Sequence, residues 1–527
     1  MFLVSYEFPA FLMALLVLYY LIPGRFQWML LLAASCVFYA QGGVFYLIYP
    51  MVTTMTTWLL AVAMGNMTDR SRAWVRENNP GREEKKEHNR QVKRRQRRLM
   101  TLGLLLNFGI LAVLKYFHFF LDNVNALLGF MGAEGEFVCG NWILPLGISY
   151  YTFQSMGYLM DVYYRKYDPE RNPARFALFV SFFPQLVAGP ISRYDQMRDQ
   201  LYTSRRFSAR SVRYGAVRML WGYFKKLVIA DRLGPAVVMI ISSPEIYDGV
   251  YVLWGMIGYT VWMYADFAGG MDIVLGAAQM FGIRLPENFE RPFFSKSLGQ
   301  FWRRWHMSLM LWLREYIFYP ASTSRFSAKT AKLAAKFLGR KAGGKIPVYI
   351  ATMTVWLTAG IWHGASWNFV VWGLANGTVL LISQELTGWY RKFGEFCPFS
   401  RTRWYEVFQI LRTCILFAWL EMFEYYPFRT VFAMSKSLFT SLGTPRTGDG
   451  RFEALGLMGA DLGILAAGIV FMAAVSALQR RESVRDRLER RPVLVQYGVV
   501  FGLFLLVLVT GVYGHGYDVS QFIYNQF

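Results

Sequence analysis

The sequence alternates long apolar runs with short polar segments. A helix that crosses a bilayer needs about 20 mostly apolar residues. Runs that approach or reach this length predict spanning helices at residues 8–22, 26–40, 44–64, 99–121, 142–163, 214–231, 250–266, 347–363, 366–388, 406–424, 455–477 and 494–512. Mixed apolar and polar segments predict re-entrant or surface-lying helices at residues 176–191, 295–320 and 427–442. The pattern therefore predicts an all-α, polytopic integral membrane protein with about 11–12 transmembrane helices.

The composition supports the same class. Of the 527 residues, 55% are hydrophobic and 18% are aromatic, but only 17% are charged. Soluble domains carry about 25% charged residues, so this chain has too little polar surface to cover itself in water. Intrinsic disorder, collagen-like repeats and disulfide-rich secreted scaffolds are excluded on the same grounds. We therefore treat residues 1–527 as a single membrane domain.

The net charge of +22 is concentrated in segments between the apolar runs. Residues 66–98 contain 12 Lys and Arg against 5 Asp and Glu, and residues 321–346 contain 7 against none. Cytoplasmic loops of membrane proteins carry such an excess, so both segments are predicted to be cytoplasmic and to face anionic membrane lipids. Nucleic acid is not an expected partner. Residues 66–98 are interpreted as a basic, solvated cytoplasmic loop, with a partner-docking or lipid-binding helix as the alternative.

The remaining segments set the predicted orientation. Residues 122–141 contain no Lys or Arg and are predicted to be external. Counting back through three spans places the N-terminus outside. Residues 455–527 are predicted to form a C-terminal helix pair and a short external tail.

Histidines are the first candidates for chemistry, because ionisable residues at membrane depth are costly and often functional. The chain has five: His88, His118, His306, His363 and His515. His363 stands in the segment WHGASWN, where two apolar runs meet. Trp362, Trp367 and Asn368 flank it, and the small Gly364 leaves room for a narrow passage beside it. A neutral imidazole in such a place can accept a proton from a hydroxyl, and the alternative is a packed core histidine bonded to a carbonyl.

A second histidine lies in the segment SKSLGQFWRRWHMSLMLWLREYIFYP, which is rich in Trp and Arg. This is typical of a helix at an aqueous interface. The arginines are interpreted as snorkelling at the cytoplasmic face, with phosphate binding as the alternative. For His306, which follows Trp305, a functional and a structural role both stay open.

Two acids stand in the near-apolar segment YADFAGGMDI. Asp266 and Asp272 could bind a metal or another ion. The preferred interpretation is that they cap helices and pair with nearby arginines, so no metal site is expected. The sequence contains none of the HExxH, CxxC or GxxxxGK[ST] motifs.

The segments WHGASWNFVVWG and WRRWHMSLMLWLREYIFYP together resemble the membrane-bound O-acyltransferase family. The resemblance is closer to its bacterial branch of alginate-type polysaccharide O-acetyltransferases and teichoic-acid D-alanyl transfer proteins. Three further segments agree in order: FFPQLVAGPISRY at 182–194, YADFAGGMDIVLGAAQMFGIRLPENFERPFFS at 264–295, and the terminal FIYNQF. Where the family has Asp-Phe-Ser-Gly-Tyr-Ser-Asp, this chain reads Asp-Phe-Ala-Gly-Gly-Met-Asp, which removes two hydroxyls.

The resemblance implies helices that enclose a funnel or tunnel, with residues 264–390 as the catalytic core segment. It also implies acyl transfer from a cytoplasmic thioester, acetyl-CoA or an acyl-carrier thioester, with no bound cofactor. His363 matches the family's catalytic histidine and His306 its second conserved one. The candidate substrate-binding or tunnel residues are Trp362, Trp367, Asn368, Gly364, Trp305 and Asp266.

The implied acceptor is a hydroxyl of an extracytoplasmic or cell-wall polysaccharide, and the implied location is a bacterial cytoplasmic membrane. A separate extracytoplasmic acetyltransferase partner would complete transfer to the polymer. The first alternative is D-alanyl transfer from an acyl-carrier protein to teichoic acid. An alternative of another class is a transporter or a scaffold in a polymer-export complex.

Overall fold

The computed structural model describes residues 2–132, 137–138, 140, 144–441, 450–457, 459–514 and 517. Throughout this part of the chain the regular structure is helical, and no β-strand occurs among these residues. The all-α prediction is therefore confirmed. His515, the terminal FIYNQF and part of the 122–141 segment lie outside the described residues.

The chain forms two compact units. The first unit comprises Met1–Arg213 and Ala277–Pro286, and the second comprises Tyr214–Gly276 and Glu287–Phe527. All candidate site residues belong to the second unit.

The first unit is built on α-helices from the N-terminal part of the chain. They are α1 Glu7–Leu21, α2 Gln27–Ala40, α3 Ile48–Asn78, α4 Arg82–Phe130, α5 Ile148–Tyr163, α6 Pro173–Ser181, α7 Phe183–Ala188 and α8 Tyr194–Tyr202. Short 3₁₀ turns at Gly24–Phe26 and Val44–Leu47 precede α2 and α3. Helix α5 is buried along nearly its whole length and forms the centre of this unit.

The basic 66–98 segment is helical rather than a loop. Helix α3 runs to Asn78, Asn79 turns the chain in a left-handed conformation with φ 38°, and α4 begins at Arg82. The ring of His88 stacks on Trp74 with centroids 4.1 Å apart, and its Nε2 lies 3.1 Å from the Ser71 hydroxyl. The charges therefore lie at helical spacing on two helix ends, and most of the side chains in this segment remain exposed. Binding of a partner or of lipid by these helices stays a prediction.

The remaining helices follow in chain order, starting with α9, which runs across the boundary between the units. They are α9 Ala209–Tyr223, α10 Asp231–Ser242, α11 Val250–Met280, α12 Leu298–Trp302, α13 Met307–Leu313, α14 Tyr319–Ser322, α15 Arg325–Leu338, α16 Arg340–Gly343, α17 Ile346–His363, α18 Trp367–Glu385, α19 Thr387–Phe396, α20 Arg403–Tyr425, α21 Phe428–Thr440, α22 Arg451–Ala454, α23 Ala460–Leu478, α24 Val484–Glu489 and α25 Val493–Thr510. Two π-helical segments, Phe224–Ala230 and Arg314–Phe318, and two 3₁₀ turns, Pro292–Phe294 and Pro398–Arg401, complete the set.

Among the described residues, four helices combine the length and apolarity needed to cross a membrane. They are Val44–Asn78, Arg82–Phe130, Ala460–Leu478 and Val493–Thr510. A fifth candidate is the pair Trp367–Glu385 and Thr387–Phe396, which is bent by 48°. Helix α1 is apolar but shorter. Several spanning helices are therefore present, and the larger number of 11–12 stays a prediction.

Helices α17 and α18 form a tight hairpin that carries the central candidate motif. A Cβ added to Gly360 would lie 2.3 Å from the Phe369 carbonyl oxygen, and one added to Gly373 would lie 2.3 Å from the Trp356 carbonyl oxygen. Only glycine allows two helix backbones to approach this closely. The Ser366 hydroxyl caps α18 by accepting a hydrogen bond from a backbone N–H two residues on.

Candidate active site

His363 is the last residue of α17 and is buried, with 8% of its surface exposed. Its ring lies among aromatic side chains from the hairpin. The centroid distances are 4.7 Å to Trp372, 5.2 Å to Trp362 and 6.3 Å to Phe369. A histidine in this apolar surrounding is kept away from bulk water, which is the environment that a proton acceptor for an acyl-transfer reaction requires.

Two buried glutamates on α20 stand beside this histidine. The Glu424 Oε1 atom lies 3.7 Å from His363 Nδ1. The Tyr259 hydroxyl donates a hydrogen bond to Glu424 Oε2 at 2.7 Å. Glu421, one helical turn earlier, accepts a hydrogen bond of 3.2 Å from the Trp372 indole N–H. The hairpin, α11 and α20 therefore bring an imidazole, a phenol and two carboxyls into one buried cluster.

His306 is held in an unusual backbone conformation directly before α13. Its φ of 45° places it in the left-handed region, which a non-glycine residue adopts rarely and at a cost. The side chain is 2% exposed. Burial and the neighbouring His363 lower the pKa of the His306 ring well below its ordinary value. His306 is therefore a neutral imidazole at neutral pH.

Asn288 fixes both the backbone and the ring of His306. Its backbone carbonyl accepts a hydrogen bond of 3.0 Å from the Met307 N–H. Its Oδ1 atom accepts two hydrogen bonds from Ser308, 3.0 Å from the backbone N–H and 2.9 Å from the hydroxyl. These two bonds use both lone pairs of Oδ1, so the amide N–H₂, 3.2 Å from His306 Nδ1, is the group left to donate to the ring. In this network Nδ1 accepts, and the ring proton lies on Nε2.

Trp362 connects the two histidines. Its indole contacts the His363 ring and also lies 5.6 Å from the His306 ring, in an edge-to-face arrangement. Phe267 packs on the other side of His306 at 4.9 Å. The structure thus brings together His306, His363 and Trp362, which are 57 residues apart or less in the sequence.

The other tryptophan candidates occupy different environments. Trp305 is buried and stacks on Phe301, with centroids 5.5 Å apart and planes at 21°. It packs against Phe417 and therefore belongs to the aromatic wall that supports α20. Trp367, by contrast, is 61% exposed and is the most exposed of the candidate site residues. Asn368 lies half-buried in the first turn of α18.

Gly364 packs against an aromatic ring in the direction of its missing side chain, and the passage expected beside it stays a prediction. A Cβ at this position would lie 2.1 Å from the Phe369 ring. The φ of −168° is an extended conformation that any residue adopts, so the requirement for glycine comes from packing alone. The small residues around His363 serve to close the hairpin.

Asp266 is committed to a buried ion pair with a lysine. Lys226 lies in the π-helical segment, and its Nζ is 2.5 Å from Asp266 Oδ1 and 2.7 Å from Asp231 Oδ1. Asp272 pairs with Lys225 at 2.5 Å and with Arg218 at 2.8 Å. The expected pairing with arginine is therefore right for Asp272, whereas Asp266 pairs with a lysine. These contacts hold Asp266 at the junction of the π-helical segment and α11, and its place in a substrate passage stays a prediction.

Sequence reasoning missed four residues of the cluster. Glu421 and Glu424 interrupt the apolar run 406–424, and their i, i+3 spacing puts both on one face of a helix. That pattern was available as a signal, because acids inside an apolar run are functional candidates. Tyr259 and Asn288 give no such signal, because a single tyrosine or asparagine acquires its role only through the fold.

Comparison with known proteins assigns this chain to a family. Residues 168–425 match the model of MBOAT, the membrane-bound O-acyltransferase family. A protein named "Probable alginate O-acetylase AlgI" from Azotobacter vinelandii is 35% identical over 71% of this chain and 67% of its own length. The chain belongs to the membrane-bound O-acyltransferase family, as the sequence motifs predict. The matched range contains both histidines, both buried glutamates and Asn288.

Two further relatives carry other acceptor names. A peptidoglycan O-acetyltransferase from Helicobacter pylori is 30% identical over 67% of this chain and 65% of its own length. A teichoic acid D-alanyltransferase from Bacillus subtilis is 28% identical over 52% of this chain and 66% of its own length. The chain spans about two thirds of the length of the curated relatives described here. The names of these relatives thus describe acyl transfer to three different acceptors, which are alginate, peptidoglycan and teichoic acid.

Proposed function

We propose that this chain transfers an acetyl group from a thioester to a hydroxyl of an extracytoplasmic polysaccharide. The observation that carries the proposal is the buried cluster in which His363 lies between Trp362, Trp372 and Glu424. A hydroxyl is a weak nucleophile until a base removes its proton, and a thioester carbonyl is electrophilic without further activation. One positioned imidazole therefore supplies the essential step.

The proposed reaction has two proton movements at His363. The imidazole accepts the proton of the attacking hydroxyl while its oxygen forms a bond to the thioester carbonyl carbon. The tetrahedral intermediate then collapses, the carbon–sulfur bond breaks, and the imidazolium returns the proton to the departing thiolate. The products are an ester and a free thiol. The apolar walls exclude water, which would otherwise hydrolyse the donor.

His306 is proposed as a donor to the oxyanion of that intermediate. The Asn288 contact leaves the ring proton on Nε2, and a neutral N–H donor held in a rigid, water-poor site stabilises developing negative charge. Loss of one such donor costs on the order of 10²–10³-fold in rate in enzymes that use an oxyanion hole.

Acetyl transfer is preferred over D-alanyl transfer because of how much of the chain each relative matches. The proteins named as O-acetylases or O-acetyltransferases match 67–71% of this chain, and the B. subtilis D-alanyltransferase matches 52%. Acetyl-CoA and an acyl-carrier thioester are the two proposed donors. We further propose that the protein crosses the bacterial cytoplasmic membrane several times, with its N-terminus outside. It would work with a separate extracytoplasmic partner.

The test is transfer of labelled acyl groups by purified, full-length protein in nanodiscs. Labelled acetyl-CoA or a D-alanyl-carrier thioester is offered with alginate, peptidoglycan fragments or teichoic acid. We expect acetyl ester on a polysaccharide, and His363→Ala to reduce kcat by on the order of 10²–10⁴-fold, because the proton acceptor is lost. Transfer of D-alanine alone would support the alternative, and no transfer from either donor would contradict the proposal.

His88→Ala is the matched control for that experiment. His88 stacks on Trp74 in the first unit, outside the cluster, so its loss is expected to leave kcat unchanged. Both variants should insert and unfold at the wild-type temperature. Wild-type acetylation by a well-folded His363→Ala protein would remove His363 from the mechanism.

A further inference from the structure

The two buried glutamates of α20 lie one helical turn apart, which limits their combined charge. Glu421 and Glu424 are 1% and 6% exposed. Two like charges buried this close together are costly, so one of the two carboxyls holds a proton. The pair therefore holds one proton and one negative charge.

That single negative charge has three partners within the second unit. The Tyr259 hydroxyl donates to Glu424 and the Trp372 indole donates to Glu421. The third partner is His363, whose Nδ1 lies 3.7 Å from Glu424 Oε1. This is an ion-pair separation rather than a hydrogen bond, and such contacts in free enzymes tighten when the charged intermediate forms. A buried carboxylate is costly unless it is paired, so the charge favours a proton on the facing imidazole nitrogen.

We propose that Glu424 is a positioning residue for His363. It holds the ring with its proton on Nδ1, so that the lone pair on Nε2 is the one that accepts the proton of the attacking hydroxyl. When the hydroxyl O–H bond breaks, the proton moves to Nε2, and the resulting imidazolium forms an ion pair with the carboxylate. The proton later leaves Nε2 for the thiolate, and the neutral ring is restored. The inference rests on the proposed function, because it takes His363 as the proton acceptor.

The charge balance shows what the carboxylate does during the reaction. The resting site holds a neutral His363, a neutral His306 and one negative charge on the carboxyl pair. After proton acceptance the imidazolium and the carboxylate form an ion pair, so the remaining net negative charge is that of the oxyanion, for which His306 is the proposed donor. Among the described titratable groups, Glu424 and His306 act on His363, Tyr259 donates to Glu424, and Glu421 accepts from Trp372.

The kinetic test compares Glu424→Gln with Glu424→Asp in full-length protein. We expect Glu424→Gln to lower kcat by on the order of 10²–10⁴-fold with little change in KM, because the substrates do not touch this residue. The acid limb of the pH–rate profile should move to lower pH, since an imidazolium without its counter-charge loses its proton more readily. Glu424→Asp keeps the charge and should recover part of the rate.

Glu406→Gln is the matched control, because Glu406 lies on the same helix and pairs with Lys296 at the exposed start of α20. It is expected to leave kcat and the pH profile unchanged. Equal kcat values and pH profiles for Glu424→Gln and wild-type protein would overturn the inference. If the glutamine variant does not fold, Tyr259→Phe removes one stabilising donor and should shift the same profile to a smaller extent.

A second measurement needs no substrate. The chain has only five histidines, so nitrogen NMR of protein labelled with ¹⁵N-histidine can resolve His363, assigned by its loss in His363→Gln. We expect a protonated Nδ1 in wild-type protein and a lower titration midpoint in Glu424→Gln. A proton on Nε2, or an unchanged midpoint, would overturn the inference. Because this readout is independent of turnover, it decides the role of Glu424 even if the proposed reaction is not observed.

Discussion

At the scale of single residues, each histidine depends on a neighbour that contacts its ring: Glu424 faces His363, and Asn288 contacts His306. The motif WHGASWN and its resemblance to acyltransferases predict His363, and the structure places this residue in a buried aromatic site. Nothing local predicts that His306 adopts a positive φ or that Asn288, 18 residues earlier, holds its ring. Those features depend on contacts between segments, which a single sequence does not specify.

Asn288 offers a residue-scale prediction about the His306 tautomer. In Asn288→Asp the carboxylate still accepts from Ser308 but has no N–H to donate, so Nδ1 of His306 should take the proton and Nε2 should lose it. We expect kcat to fall by on the order of 10²–10³-fold, the cost of losing one hydrogen-bond donor to the oxyanion. The tautomer is checked by nitrogen NMR of His306 and the rate by acetyl transfer.

The same experiment separates this role from a purely structural one. If Asn288 only supports the backbone before α13, then Asn288→Asp should keep wild-type turnover, since the bonds to Ser308 survive. That outcome, or an Nε2 proton that persists in the variant, would contradict the assignment of His306 as a donor.

At the scale of elements, long apolar runs predict the bounds of helices closely, whereas the charge of a segment says little about whether it is helical. The windows 347–363 and 366–388 agree closely with α17 Ile346–His363 and α18 Trp367–Glu385. The helix bounds agree because an apolar run in a membrane must satisfy its backbone hydrogen bonds within itself, which favours a helix over the whole run. The 66–98 segment is helical in spite of its high charge, because α3 and α4 continue through it. Charge density limits burial, not helix formation.

The glycines of the α17–α18 hairpin give an element-scale prediction. Gly373→Ala places a methyl group against the Trp356 carbonyl oxygen, so the helices must separate. We expect the free energy of unfolding to fall by about 1–3 kcal/mol, the usual cost of overpacking. Transfer should also fall, since the hairpin carries His363. Denaturation and turnover of the purified protein measure the two effects.

Gly388→Ala is the control for that substitution. It lies in helix α19, and a Cβ there would meet no atom within 4 Å. Alanine is the better helix former by about 1 kcal/mol, so this variant should be as stable as wild type or slightly more stable. Equal stability of the Gly373 and Gly388 variants would show that the hairpin tolerates separation.

At the scale of the whole molecule, the sequence predicts the class of protein and the net charge but not which charges meet. Lys226 and Asp266 are 40 residues apart, and Arg218 and Asp272 are 54 apart, yet each pair is in contact. Burying these charges is tolerated only because each one has a partner of opposite sign. The excess of +22 therefore belongs to the exposed segments, such as 66–98 and 321–346. These are the segments that set the orientation in the membrane.

The orientation can be tested on helix α4 alone. Lys86 and Phe130 lie 44 residues apart on this continuous helix, which is about 66 Å at 1.5 Å per residue. A bilayer with its headgroups is about 40–45 Å thick, so the two positions must lie on opposite sides if the apolar part of α4 spans it. Lys86 follows the positive-inside rule and should be cytoplasmic, and Phe130 should be external.

The test uses a protein whose four native cysteines are replaced. Single cysteines are introduced at Lys86, Lys332 and Phe130, and intact spheroplasts are treated with an impermeant maleimide. We expect only Phe130→Cys to be labelled before lysis and all three to be labelled after it. Labelling of Lys86→Cys or Lys332→Cys on intact spheroplasts would reverse the orientation, and labelling of Lys86→Cys together with Phe130→Cys would show that α4 does not cross the membrane.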